Sequence, residues 1–98
     1  MIAESIPLDA RPKLASRARL QTDKVSGKPI LLYPEGVLVL NATGHDIILH
    51  CTGEATLGEI IARLASCYNM PEEQISGEVN EYLNRLRARK LLELGPGA

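Results

Sequence analysis

The stretch LLYPEGVLVLN, residues 31–41, constrains the fold more than any other part of this chain. Two apolar runs flank Pro34-Glu35-Gly36. Pro fixes φ at the start of a tight turn and Gly tolerates the left-handed conformation at its end, so the segment reads as a hairpin. The second run, Val37-Leu38-Val39-Leu40, is apolar at four successive positions. A strand in a small antiparallel sheet turns alternate side chains to opposite faces, and one of those faces normally meets water. A run with no polar alternation therefore needs a cover for its second face, or leaves that face open to a partner.

The rest of the composition narrows what such a hairpin belongs to. At 98 residues the chain makes one domain, long enough for a single hydrophobic core without staples. Hydrophobic residues at 45% and charged residues at 23% are ordinary for a globular chain. A net charge of -1 gives no general attraction to nucleic acid or to an anionic membrane. No apolar stretch reaches the roughly 20 residues of a membrane span, and the first residues lack the pattern of a signal peptide. The expected location is cytoplasmic.

No residue cluster points to catalysis or to a cofactor. Cys51 and Cys67 read as two small buried hydrophobes in a reducing compartment. A metal site would have to recruit His45, His50 and Cys51. On a helix these lie at about 0°, 140° and 240° and cannot converge on one ion. The same geometry separates His50 from Cys51 as a base and nucleophile. No Gly-rich phosphate loop and no carboxylate pair is present. The chain is not expected to be an enzyme.

The order of elements gives the fold class. Residues 1–16, with Pro7, Pro12 and mixed charge, show no clear period and read as a mobile or loosely docked arm. Strands are expected at residues 19–25, 30–33 and 37–40, with a turn at Ser26-Gly27-Lys28-Pro29. Asn41 is a good N-cap for a short helix through Ile47, Ile48 and Cys51, ended by Thr52-Gly53, with Gly44 lowering its propensity. Thr56 and Glu59 have capping-box spacing and open a second helix with Leu57, Ile60, Ile61, Leu64 and Tyr68 on one face. Asn69-Met70-Pro71 breaks it, and a third helix runs to about Lys90. Three strands of an antiparallel sheet followed by three helices make an α+β arrangement of winged helix-turn-helix type. The domain is expected to span residues 17–92, with 93–98 as a flexible tail.

A winged helix raises the alternative of a DNA-binding regulator, but the charges run the wrong way. Glu72, Glu73, Glu78 and Glu81 occupy the first half of the third helix, and Arg85, Arg87, Arg89 and Lys90 crowd its end. That order complements the helix dipole. A recognition helix offers its N-terminal residues to the groove, where these carboxylates would repel phosphate. A peptide groove fits better. The third strand, an edge of the meander, lacks the charge or Pro that usually guards an edge. Beside it, Ile75, Val79, Tyr82 and Leu86 form a stripe on the third helix, with Leu83 on its flank. Edge and flank together suit a peptide that enters as an added strand.

Three segments together resemble the PqqD family of pyrroloquinoline quinone biosynthesis. They are RPKLASRARLQTDKVSGKPILLYPEGVLVLNATGHDII at residues 11–48, CTGEATLGEIIARLASCY at 51–68, and EVNEYLNRLRARKLL at 78–92. The Arg-Pro start, the strand LLYPEGVLVLN and the Cys-x-Gly before a Thr-capped helix carry the likeness. The resemblance implies a peptide chaperone, a recognition element for ribosomally made, modified peptides. It would bind the leader of the precursor peptide PqqA and deliver it to the radical S-adenosylmethionine enzyme PqqE. By position, the peptide-binding residues would be Val37, Leu38, Val39, Leu40, Asn41, Glu78, Val79, Tyr82, Leu83 and Leu86. No cofactor is implied for this chain, since the iron-sulfur cluster belongs to the partner enzyme. The bare edge also permits self-pairing into a homodimer.

Overall fold

The hairpin forms where the alternation of turn and apolar residues puts it, and it supplies the middle strand and one edge of a three-stranded antiparallel meander. The computed structural model describes residues 6–95. In chain order the elements are β1 (Arg11–Leu14), β2 (Arg19–Thr22), β3 (Pro29–Tyr33), β4 (Gly36–Val39), α1 (Ala42–Leu49), α2 (Leu57–Tyr68), α3 (Glu72–Ala88) and β5 (Leu92–Gly95). One sheet has the order β2-β3-β4, and a second, two-stranded sheet joins β1 to β5. The architecture is α+β and winged-helix-like. Leu31, Leu40, Ile47, Leu57, Ile60, Leu64, Ile75, Val79, Leu83 and Leu86 fill a common core between the meander and the helices.

Local chemistry fixes the ends of the elements. β2 stops at Thr22, earlier than residue 25, because the Asp23 carboxylate accepts hydrogen bonds from the Ser26 N–H at 3.3 Å and the Ser26 hydroxyl at 2.7 Å. Gly27, at φ +74°, supplies the left-handed residue of that turn. Gly36 does not: left-handed glycines among the described residues are Gly27 and Gly53, and Gly36 instead opens β4 opposite Tyr33. α1 ends at Leu49, two residues short of Cys51, with His50 as its C-cap. Cys51 is buried and Cys67 exposed, so only the first behaves as a core residue. Burial pushes the Cys51 thiol up to about 12.

The two chain ends depart most from the sequence reading. Residues 11–14 of the expected arm pair with residues 92–95 of the expected tail, in the register Arg11↔Gly95 to Leu14↔Leu92. Ile6, Ala10 and Ala15 are buried. The carbonyls of Ala10 and Leu8 accept from the Leu57 and Gly58 N–H groups, at 2.8 and 3.0 Å, and so cap the first turn of α2. The segment docks through backbone groups and through Ile6, Ala10, Pro12 and Ala15, whose uneven spacing leaves no hydrophobic period to read. Residues 1–5 and 96–98, the remainder of that arm and tail, lie outside the described residues.

The capping box at the start of α2 is complete. The Thr56 hydroxyl accepts from the Glu59 N–H at 3.2 Å, and the Glu59 carboxylate accepts from the Thr56 N–H at 2.9 Å. The Thr56 backbone and side-chain donors hold the Glu59 carboxyl below the usual carboxylate range. A group whose folded pKa is depressed adds stability above its unfolded pKa and loses it as pH falls through the folded one. Stability is therefore expected to decline on acidification through the ordinary carboxylate range, and Glu59→Gln to flatten that decline. Chemical denaturation of both proteins at neutral and acidic pH checks this.

Candidate functional site

The open edge of the meander is the residue-level origin of the site. Leu40 donates its N–H to the Pro29 carbonyl at 3.0 Å, in line with the register Ile30↔Val39, Leu31↔Leu38, Leu32↔Val37 and Tyr33↔Gly36. In an antiparallel ladder alternate residues turn their backbone groups to the same side. Gly36, Leu38 and Leu40 thus bond to β3, while the N–H and C=O groups of Val37 and Val39 face outward. Among the described residues no strand pairs with β4 on that outer side. The side chains alternate too: Leu38 is half-buried and Leu40 buried, whereas Val37 and Val39 are 56% and 64% exposed. With half-buried Ile30 and Leu32 beside them, the two valines make the β3–β4 part of the second face apolar, next to Arg19 and Gln21 of β2.

α3 builds the wall opposite this edge. Leu38, Val39, Asn41, Tyr82, Arg85, Leu86 and Arg89 line one cleft, and Asn41, Gly44, Glu78, Glu81, Tyr82 and Arg85 are among those lining the next. The two clefts share Asn41, Tyr82 and Arg85 and so form one continuous groove. The groove-facing residues of α3 recur three or four positions apart, one helical face above the core stripe. α3 runs antiparallel to β4: Arg89 donates to the Tyr33 hydroxyl at 3.4 Å beside the start of the strand, and Tyr82 lies against Gly44 just beyond its end.

Tyr82 divides the groove and explains a helical glycine. A Cβ at Gly44 would stand 2.6 Å from the Tyr82 hydroxyl oxygen and 2.7 Å from its ring carbon, so α1 carries Gly where propensity argues for Ala. The hydroxyl is buried without a hydrogen-bond partner. Desolvation raises its pKa. Gly44→Ala is expected to force the ring toward the groove, with the clash of about 1–3 kcal/mol outweighing a propensity gain near 1. In the Tyr82→Ala background the same change is expected to stabilise. A double-mutant cycle of thermal melts measures the sign reversal.

Comparison with known proteins places the chain. The family profile described as coenzyme PQQ synthesis protein D (PqqD) matches residues 30–92. The chain belongs to the PqqD family. Similar members include the PqqA binding protein of Rhizobium meliloti, 33% identical over 84% of each chain. That of Xanthomonas axonopodis pv. citri is 32% identical over 91% of this chain and 97% of its own. Among solved structures, the solution NMR structure of the PqqD truncation of Methylobacterium extorquens PqqCD superimposes with a TM-score of 0.72 at 27% identity. It covers 84% of this chain and 87% of that one. That truncation is described as a functional, stand-alone recognition element for ribosomally synthesized, post-translationally modified peptides.

Within this PqqD-family fold the residues picked from sequence fall into two sets. Val37, Leu38, Val39, Asn41, Glu78, Tyr82 and Leu86 lie on the open edge or line the groove. Leu40, Val79 and Leu83 are 4%, 1% and 0% exposed and belong to the core, and Leu86, at 1%, is a core residue that also lines the groove. In the expected stripe on α3 Ile75, Val79 and Leu86 are buried, but Tyr82 and Leu83 change places, with Leu83 inside and Tyr82 at the margin. Positions 82 and 83 both continue a helical stripe from Val79, and only the rotation of α3 against β4 and α1 selects between them. Asn41 has a second duty, since its Oδ1 accepts from the Gly44 N–H at 2.7 Å as the N-cap of α1. The sequence reading missed Glu81, Arg85 and Arg89 as groove residues. Their spacing of three from Glu78, Tyr82 and Leu86, and of four from one another, was the signal for them.

Proposed function

We propose that this protein binds the leader of the precursor peptide PqqA by strand addition to β4 and presents it to the radical S-adenosylmethionine enzyme PqqE in the cytoplasm. The observation that carries the reading is the pairing of an unguarded strand edge with an apolar groove wall formed by Leu38, Tyr82 and Leu86. Outward backbone groups of Val37 and Val39 would give affinity, and pockets along α3 would read alternate side chains. Val79 and Leu83 would act from beneath by fixing α3. Relatives described as PqqA binding proteins support the choice of ligand. The exposed Glu72, Glu73, Glu78 and Glu81, in the first ten residues of α3, give the DNA-binding alternative no support. Self-pairing of two β4 edges would compete with the same peptide, so a homodimer would be expected to dissociate on leader binding.

Amide chemical-shift mapping with synthetic PqqA tests this. Shifts are expected at residues 37–41 and 78–89. Saturable binding with perturbations confined to another surface would refute the groove. For presentation, PqqE with S-adenosylmethionine is expected to cross-link PqqA when this protein is added, and this protein without PqqE to modify nothing. Modified peptide in that second mixture would sink the chaperone reading.

A further inference from the structure

The groove is electrically polar along its length. Glu78 and Glu81 stand at the end beside Asn41 and Gly44, whereas Arg85 and Arg89 stand at the end beside Leu38 and Tyr33. Glu81 and Arg85 are partners in an exposed ion pair at 2.6 Å, and that pair sits mid-groove where it cancels itself. The charges left to act on a ligand are those at the two extremes, Glu78 and Arg89. Their eleven-residue separation corresponds to about 16 Å of helix axis; four steps of an extended chain span about 13 Å, and the reach of a Lys side chain covers the remainder. Between them the wall is apolar, made by Leu38, Tyr82 and Leu86.

We infer that this charge order selects the sequence and the direction of the bound segment: a basic side chain, an apolar one two residues later, and an acidic one about two residues beyond that. Even spacing puts all three on the face turned to α3. The meander is antiparallel throughout, and antiparallel addition extends it in the commoner way. An antiparallel segment begins beside the end of β4, which is the Glu78 end of the groove. Its basic residue therefore comes first in the chain and its acidic residue last, so that Glu78 and Arg89 each meet an opposite charge. A segment with the two charges exchanged would meet like charge at both ends. The inference rests on the proposed peptide-binding reading and adds to it the orientation and chemical class of the segment recognised.

Two short synthetic peptides of identical composition distinguish the cases, one in the order Lys-Thr-Leu-Val-Glu and the other in the order Glu-Thr-Leu-Val-Lys. Synthetic PqqA serves as a control for the reading itself. Binding is measured by chemical-shift titration of the wild type and of the Glu78→Lys/Arg89→Glu double variant. The Lys-first peptide is expected to bind the wild type about tenfold more tightly at low ionic strength, with the preference reversed in the double variant. The preference is expected to fade near 1 M salt, where screening acts over about 3 Å. Equal binding of both peptides, a wild-type preference for the Glu-first peptide, or binding of PqqA with neither short peptide bound would each overturn the inference and leave the reading standing. Failure of PqqA itself to bind the wild type would overturn both.

Discussion

Leu38→Pro is expected to lower stability by about 3 kcal/mol or more, whereas Val39→Pro is expected to leave the protein folded and to abolish leader binding. The difference comes from ladder parity. The register pairs Leu38 with Leu31, and the Leu40 N–H bonds to Pro29, so even-numbered residues of the strand hold β3. A Pro at position 38 deletes a ladder bond and sets its ring against the neighbouring strand. At position 39 the lost N–H faces the open edge, and the preceding residue is already extended, as Pro requires. The loss there falls on the ligand: one hydrogen bond, worth about 0.5–1.5 kcal/mol, and close approach of the added strand. Thermal melts and leader titrations of both variants decide the matter. A folded Val39→Pro protein that binds the leader as tightly as wild type would rule out addition at β4.

Leu83→Ala and Tyr82→Ala are expected to divide stability from binding although the residues are neighbours. Leu83 is wholly buried in the core, so its truncation leaves a cavity and costs about 2–5 kcal/mol. A small domain has about 5–15 kcal/mol in all, so Leu83→Ala brings the protein close to unfolding. Its residual folded fraction keeps the groove wall and is expected to bind the leader with near-native affinity. Tyr82 is half-buried and its hydroxyl is unpartnered, so Tyr82→Ala costs less, about 1–2 kcal/mol. That variant loses the wall common to both clefts, and its leader affinity is expected to fall the more sharply of the two. Denaturant titration gives the first quantity and calorimetric titration the second. The opposite pairing of effects would return Leu83 to the groove and Tyr82 to the core.

Sequence by itself determined the elements whose signals are local. The turn after Tyr33, the apolar run of β4, the Asn41 cap and the Thr56-Glu59 capping box depend on residues within a few positions of one another, and each lies where chain chemistry puts it. The α+β class followed from their order. Only tertiary structure decided what depends on contacts distant in sequence. The pairing of β1 with β5 joins the two ends of the described chain, and strands of four residues, even with the alternation Leu92-Glu93-Leu94, are too short to announce a partner so far away. The choice of Leu83 over Tyr82 for the core turned on a rotation of α3 about its axis, to which the helical period is blind. Gly44 looked like a weakness in α1 until the Tyr82 ring filled the space its missing Cβ leaves. The polarity of the groove, too, exists only because α3 lies antiparallel to β4, which sets its acidic and basic ends beside opposite ends of one open strand edge.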